Sequence, residues 1–258
     1  MRIRILGAHN LESRDTRCIS LLIDDRLAID AGSLTSSLSF DEQTRLDALI
    51  ITHKHMDHVR DLPGIGLALR TRLKSLPVYM TKQTEEAVKE HLLNGVLYPR
   101  LYEASGATTP LELRTMTIGA TFEAGGFTVQ PLPATHVGGT AGLLISDGGG
   151  GSLYFTSDTG PFHDQTRADI KNVQAIVTDI TMSNVHEAMA IEAGHMTPGL
   201  LEHEMVLLQK SGTGPLPRVV AVHLDSVEEP IIREELADAA RRMDMQIDVG
   251  YAGMEFEL

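Results

Sequence analysis

The segment Ile50–Gly64, IITHKHMDHVRDLPG, constrains this chain more than any other stretch. An apolar run ends there in three histidines and one aspartate, His53, His55, Asp57 and His58. Neutral imidazoles and carboxylates are ligands that zinc and similar cations select in proteins. A strand followed by this loop therefore predicts a metal site at a sheet edge. The alternative, a loop that is merely rich in histidine, would need no apolar strand before it.

The spacing of these four side chains indicates more than one metal ion. His53 and His55 stand two apart, so in an extended segment they point to the same side. Asp57 and His58 follow where the chain turns toward a helix that Pro63 can start. Because four such groups on one turn do not converge tetrahedrally on a single ion, we expect two ions, an arrangement that serves hydrolysis.

Length, composition and charge narrow the class of protein. The 258 residues are 42% hydrophobic and 22% charged, and they show no linker or repeat, so we expect a single domain over residues 1–258. No apolar run has the length of a membrane span. Cys18 is the only cysteine and is expected to be buried and inert, which fits a cytoplasmic protein. The net charge of −13 argues against an extended nucleic-acid surface but allows a small phosphate substrate.

Apolar periodicity predicts strands and helices in alternating groups. We expect strands at Leu46–Thr52, Phe127–Leu132, Ser152–Thr156, Val173–Ile180 and Arg218–His223, and helices at Thr84–Leu93, Pro198–Lys210 and Pro230–Met243. Asp24 and Asp25 are expected in a hairpin turn. The irregular Asn94–Pro110 segment is either a lid that faces the substrate, an interface or a plain surface loop. Helices outside two packed sheets would satisfy this order.

Three later residues of metal-ligand type also follow apolar strands. They are His136 in PLPATH, Asp158 in YFTSDTG and His223 in VVAVH. Each residue alone is more often structural than functional. Together with the dense cluster at residues 53–58, however, they predict one shared site.

These motifs resemble those of the metallo-β-lactamase-fold metallohydrolases. THKHMDHVRDLPG is similar to the HxHxDH signature of that family, and RLAIDAGS, ATHVGGTAG, YFTSDTGP and VVAVH are similar to its other motifs in order and spacing. The resemblance covers nearly the whole chain. It implies a four-layer αββα sandwich with a binuclear metal site at one edge.

The resemblance also implies a division of ligands. His53, His55 and His136 would hold one metal, Asp57, His58 and His223 would hold the other, and Asp158 would bridge both. The cofactors would be two divalent ions, zinc first, with manganese or iron as alternatives. Asp30, in the IDAG segment, would orient a ligand histidine, with loop capping as the alternative.

A narrower resemblance connects AGHMTP, Ala193–Pro198, with the GHLTP motif of class II cyclic-nucleotide phosphodiesterases. FTSDTGP is also similar to the GDTGP of that family, with Ser157 in place of a glycine. The chain departs from the family after His223, where leucine and aspartate stand in place of isoleucine and lysine. The catalytic residues implied are Asp57, Asp158 and His195. His195 would contact a phosphate oxygen or protonate the departing oxygen, with a structural role before a helix as the alternative.

The leading hypothesis is hydrolysis of a small 3′,5′-cyclic nucleotide of the AMP or GMP type to the 5′-monophosphate by metal-bound hydroxide. One alternative is a ribonuclease-Z-like tRNA 3′-endonuclease, although the sequence has no basic arm. Others are a lactone or thioester hydrolase on the same fold, and a structural or regulatory metal-binding protein. The expected partner is a small phosphodiester, with no membrane and no extended nucleic-acid surface, and a homodimer stays open.

Overall fold

Two seven-stranded β-sheets form the centre of the computed structural model, which describes residues 1–104, 106–211 and 214–258. The strands are β1 (Arg2–Gly7), β2 (Ser20–Ile23), β3 (Leu27–Ile29), β4 (Ala48–Ile50), β5 (Leu76–Met80), β6 (Leu111–Thr115), β7 (Phe122–Ala124), β8 (Phe127–Pro133), β9 (Ala141–Ser146), β10 (Ser152–Phe155), β11 (Ala175–Asp179), β12 (Arg218–Val222), β13 (Ile247–Val249) and β14 (Glu255–Glu257). The strand orders are β14-β1-β2-β3-β4-β5-β6 and β13-β12-β11-β10-β9-β8-β7. Each sheet therefore draws its strands mainly from one half of the chain.

Helices flank both sheets. They are α1 (Leu34–Ser37), α2 (Phe40–Gln43), α3 (Met56–Val59), α4 (Leu62–Thr71), α5 (Lys82–Ala87), α6 (Asp164–Ile170), α7 (Glu187–Ala193), α8 (Pro198–Ser211) and α9 (Glu229–Met243). The helix predicted at Thr84–Leu93 is α5 continued by a π-helical turn at Val88–Leu92. The Thr197 hydroxyl accepts the Leu200 N–H, so α8 begins with a threonine cap.

Three apolar clusters define the layers. The cluster between the sheets combines Ile3, Ile5, Ile29 and Ile50 with Val129, Leu143, Phe155 and Val177. A second cluster packs α4, through Ile65, against the outer face of the first sheet, and a third packs α8, through Met205, against the outer face of the second. This order of layers confirms the predicted αββα sandwich.

One local feature agrees with the sequence, the hairpin turn. Asp24 and Asp25 join β2 to β3 with positive φ angles of 47° and 56°, the conformation of a tight hairpin turn. Among the described residues, no helix is long and apolar enough to cross a membrane.

Candidate metal centre

Strand ends from both sheets meet at one edge of the sandwich and carry the predicted ligands. β8 and β10 both pair antiparallel with β9, so they run in the same direction, and β10, β11 and β12 are parallel neighbours. The segments that follow β4, β8, β10 and β12 bring together the seven predicted metal ligands: His53, His55, Asp57, His58, His136, Asp158 and His223.

His53, His55, His136 and Asp158 form the first group, and their potential ligand atoms all lie within 4.8 Å of one another. His136 Nε2 is 3.1 Å from His55 Nδ1. Asp158 Oδ2 is 3.5 Å from His53 Nε2 and 3.7 Å from His136 Nε2. Three imidazoles and a carboxylate at these separations suit one tetrahedral cation.

Asp57, His58, Asp158 and His223 form the second group within the same limit. His223 Nε2 lies 3.0 Å from Asp57 Oδ2 and 3.3 Å from Asp158 Oδ2. His58 Nε2 lies 3.1 Å from Asp158 Oδ1. Asp158 thus belongs to both groups, and its two oxygens face different histidines. This is the arrangement expected of a bridging carboxylate.

Hydrogen bonds at Nδ1 turn two of these histidines toward the centre. His58 Nδ1 lies 2.8 Å from Asp30 Oδ2, and His136 Nδ1 lies 3.1 Å from the carbonyl oxygens of Ala193 and Gly194. Because these oxygens accept, both Nδ1 atoms donate, which leaves each Nε2 as the atom that a cation would bind. Asp30 is fully buried and orients His58, as one of the two sequence interpretations proposed.

Asp179, at the end of β11, organises the other side of the centre. Its Oδ1 accepts from Thr181 Oγ1 at 2.6 Å, and Thr181 in turn lies 2.7 Å from His223 Nδ1. Its Oδ2 accepts from His195 Nδ1 at 2.7 Å. Asp179 therefore orients His223 through Thr181 and orients His195 directly.

The His195 ring lies close to ligands of both groups. It stacks on His223 with centroids 5.3 Å apart and 16° between planes, and its centroid is 4.9 Å from that of His136. Burial lowers the pKa of His195, but the Asp179 carboxylate raises it by more than burial lowers it. The net shift of the pKa is therefore upward. The ring is 14% exposed, so it is accessible from the open side of the centre.

Two buried nitrogens show that the donor set fits divalent cations. Among the described residues, His53 Nε2 and His58 Nε2 make no hydrogen bond of proper geometry, although both rings are fully buried and Asp158 lies nearby. Burying polar atoms without partners is costly, and such atoms in a folded protein call for an explanation. Both atoms face Asp158, so coordination of a cation would satisfy them.

The buried carboxylates of the site also favour the binding of cations. Burial opposes ionisation of Asp158 and Asp57, yet the neighbouring histidines hold the pKa of each carboxyl well below its usual range. Burial lowers the pKa of His223, but Asp158 and Asp57 raise it to about 9. Without metal, protons on histidines balance the carboxylates. A divalent cation can replace those protons.

Backbone strain is concentrated at this site. Asp30, Ser157 and His223 adopt left-handed conformations with φ of 57°, 57° and 61°. Non-glycine residues in this region are uncommon and cluster at functional sites. Asp30 and Ser157 contact candidate ligands and His223 is one of them, so the strain accompanies the construction of the centre.

The sequence reasoning placed His195 and the seven ligands together but missed Asp179, Thr181 and Thr52. Asp179 follows the apolar strand AIVT, the same signal that identified Asp158 and His223, and it could have been found that way. Thr52 and Thr181 carry no such signal, because their role depends on hydrogen-bond partners.

Comparison with known proteins adds a family and a fold. A family model described as "Beta-lactamase superfamily domain" matches residues 26–224. A ribonuclease Z of Bradyrhizobium diazoefficiens is 31% identical over 119 residues, which cover 43% of this chain and 36% of that protein. The match therefore spans about a third of that relative's length.

Solved structures resemble the chain over its whole length. The match to unliganded yeast PDE1 has a TM-score of 0.83 at 14% identity, and it covers 100% of this chain and 99% of the PDE1 chain. The metallo-beta-lactamase fold protein YhfI from Bacillus subtilis has a TM-score of 0.78 at 18% identity, covering 99% of each chain. Zn²⁺-bound PqqB from Methylobacterium extorquens has a TM-score of 0.70 at 18% identity, covering 100% of each. At these identities the likeness shows the fold.

Proposed function

Because this chain belongs to the β-lactamase superfamily, whose hydrolases depend on metal ions, we propose that it hydrolyses a small phosphodiester, a 3′,5′-cyclic nucleotide, at a binuclear centre. The observation that carries the proposal is the position of Asp158 between two complete ligand groups, with His195 beside both. A centre of this kind suits attack by water on a substrate whose charge must be neutralised.

The residues divide the work as follows. His53, His55 and His136 would hold one cation, Asp57, His58 and His223 the other, and Asp158 both. The cations, zinc in our proposal, would supply Lewis acidity, acidify water and neutralise phosphate oxygens. His195 Nδ1 is committed to Asp179, which leaves Nε2 to hold a proton for the departing oxygen.

An apolar groove beside the ligand loop supports a substrate with a ring. Two cavities of about 320 Å³ each share the side chains of Met56, Leu92 and Leu97. Met56 stands between the ligands His55 and Asp57, and it is 61% exposed, while Leu97 is 83% exposed. Exposed apolar side chains grouped beside the ligand loop indicate a binding surface, and a nucleobase has the size and character for it.

The same cavities help to assign a role to the segment Asn94–Pro110. Leu97 and Tyr98 from this segment line the groove, which favours the substrate-facing interpretation of the described part of the segment. Residue 105 lies outside the described residues.

A second candidate is a tRNA 3′-endonuclease, because a ribonuclease Z shares 31% identity over 119 residues with this chain. The net charge of −13 opposes it, since a protein that holds tRNA gains most of its affinity from basic contacts with phosphates. We therefore keep the small phosphodiester as the first proposal.

The deciding experiment is a metal count followed by parallel assays with 3′,5′-cyclic AMP, 3′,5′-cyclic GMP, a precursor tRNA and a simple lactone. We expect two ions per chain and turnover of a cyclic nucleotide to its 5′-monophosphate. The matched variant is His195→Gln, which should keep both ions and lose turnover. A protein with two ions that cleaves only precursor tRNA or lactone refutes the cyclic-nucleotide proposal.

A further inference from the structure

A buried serine hydroxyl lies directly beneath the candidate metal centre. Ser157 is the residue before Asp158, and it is 2% exposed. Its hydroxyl donates to Thr52 Oγ1 at 2.7 Å, a contact that joins the second sheet to the ligand loop of the first. Its oxygen also lies 3.4 Å from His53 Nδ1.

Each of the two hydroxyl hydrogens in this contact already has an acceptor. The Thr52 hydroxyl donates to the Asp30 carboxylate, with Oγ1 2.9 Å from Oδ2. The Ser157 hydroxyl donates to Thr52. Since neither oxygen has a hydrogen left for His53, whose Nδ1 is 3.3 Å from Thr52 Oγ1 and 3.4 Å from Ser157 Oγ, the imidazole must be the donor.

This chain of bonds sets the tautomer of a ligand. With its hydrogen on Nδ1, shared between two hydroxyl oxygens, His53 presents an unprotonated Nε2 toward Asp158. The chain ends at Asp30, which also accepts from His58 Nδ1 at 2.8 Å. One buried carboxylate therefore orients His53 of the first ligand group, through two hydroxyls, and His58 of the second group directly.

The backbone of Ser157 gives an independent reason to assign it a role. Its φ of 57° is one that glycine adopts without strain and serine does not. A strained residue persists where the surroundings determine it and is a sign of function. The side chain adds only a Cβ and a hydroxyl, and it is the hydroxyl that makes the contacts described above.

We infer that Ser157 is a positioning residue that tunes the first cation site by holding His53 in its ligating tautomer, and this inference rests on the proposed binuclear centre. Partners that orient a ligand histidine typically change metal affinity by about 10- to 100-fold when they are removed. Because His58 reaches Asp30 without Ser157, the second site should keep its affinity.

The test is Ser157→Gly, which removes the hydroxyl and also relieves the backbone strain. Apo protein is titrated with Zn²⁺ against a competing chelator, and its thermal unfolding is followed without metal. We expect the apo variant to unfold at the same or a higher temperature while one of the two zinc affinities falls about 10-fold or more. A residue with only a structural role would not produce this combination.

Two further variants complete the design. Ser157→Ala removes the hydroxyl but keeps the strain, so it should lose the same zinc affinity without any gain in stability. Ser183→Ala removes another buried hydroxyl, one with no hydrogen-bond partner among the described residues, and should bind zinc like the wild type. Wild-type zinc affinity in Ser157→Gly, or a loss confined to Ser157→Gly and absent in Ser157→Ala, overturns the inference. A wild-type protein that binds no zinc instead overturns the proposed centre.

Discussion

At the scale of the residue, the ligand histidines are held in place by hydrogen bonds at the ring nitrogen that faces away from the centre. The Nδ1 atoms of His58, His136 and His223 contact Asp30, backbone carbonyls and Thr181 respectively. These contacts fix both the ring orientation and the position of the proton. The centre is therefore arranged for cations by residues that would not touch them.

Asp158→Asn should disable both sites at once. The amide keeps the size of the side chain but cannot bridge two cations as a carboxylate does. We expect fewer than two zinc ions per chain and a fall in turnover of more than about 100-fold, beyond the loss typical of a residue that only orients a ligand. Metal analysis and steady-state kinetics measure both effects. Asp164→Asn, whose carboxylate is 99% exposed, is the control, and an Asp158→Asn protein with two ions and normal turnover contradicts the shared role.

The groove beside the ligand loop makes a prediction about specificity. If Met56 and Leu97 contact the base, then Met56→Ala and Leu97→Ala should raise the KM for cyclic AMP several-fold and leave kcat within about twofold, since uniform binding is lost. Leu73→Ala removes an exposed leucine that lines neither cavity, and it should leave both KM and kcat unchanged. Unchanged KM values in both groove variants would exclude this surface as the base site.

Cys18 should be chemically silent in the folded protein. Burial raises the pKa of the Cys18 thiol to about 11, and the side chain is 4% exposed. At pH 8 the group lies below that pKa and stays protonated, with on the order of 0.1% thiolate. Reaction with a disulfide reagent should therefore be slow in native protein, become complete in guanidinium, and accelerate in native protein as the pH rises toward 11. Rapid native labelling at pH 8 would contradict this description.

At the scale of the element, short connections between strand and helix position the centre. α7 ends at Ala193 and is capped by Gly194, which adopts φ of 73°, and the carbonyls of these two residues accept from His136. A helix end thus supplies the acceptor for a ligand that comes from a different segment of the chain. His195 follows immediately, so the same turn positions two functional histidines.

Gly194→Ala should damage the first cation site through this turn. A Cβ at this position would lie 2.6 Å from the Thr135 carbonyl oxygen and 2.9 Å from His136 Cα, so the His136 segment would have to move. We expect a stability loss of more than about 1 kcal/mol together with weaker binding of one zinc ion. Denaturant unfolding and zinc titration measure these losses.

Gly253→Ala is the matched control for this change. Gly253 has φ of 94°, and a Cβ there meets nothing within 4 Å, so only the conformational cost applies. Its zinc binding should equal that of the wild type. Equal zinc affinities in the two variants would show that Gly194 does not support His136.

Sequence periodicity located the elements with strong patterns and missed those without them. β8, β10, β12 and α9 lie within two residues of the predicted bounds, because each buries a continuous apolar run or stripe. The structure adds α6 and α7, which at seven residues each span only two helical turns and are too short for a clear period, and the short strand β7. Ligands were predictable because they follow strands. The roles of Thr52 and Thr181 and the Ser157–Thr52 contact depend on which loops meet, which a single sequence does not display.

At the scale of the whole molecule, the candidate centre joins the two sheets. The first sheet contributes Asp30 and the loop with His53 to His58, and the second contributes His136, Asp158 and His223. Cations bound there would connect the two layers at their common edge. Binding that is confined to the folded state stabilises that state by mass action.

Removal of metal should therefore lower the melting temperature. A ligand present at 1,000 times its Kd adds about 4 kcal/mol, which in a chain of this size corresponds to a shift on the order of 10 °C. Calorimetry of the zinc-loaded protein with and without a chelator measures the shift, and Asp158→Asn should show little of it. Equal melting temperatures in the loaded and chelated wild type would mean that the folded state gains nothing from the cations.

The pairing of β14 with β1 has a consequence for how the protein is made. β1 is synthesised before the other strands of its sheet, but its neighbour β14 consists of residues 255–257. Asp57 must likewise wait for His223, 166 positions later, before the second ligand group exists. Before His223 has been synthesised, the histidine-rich loop therefore lacks one member of its second ligand group. A cation that needs all seven candidate ligands would be held only once that histidine is in place.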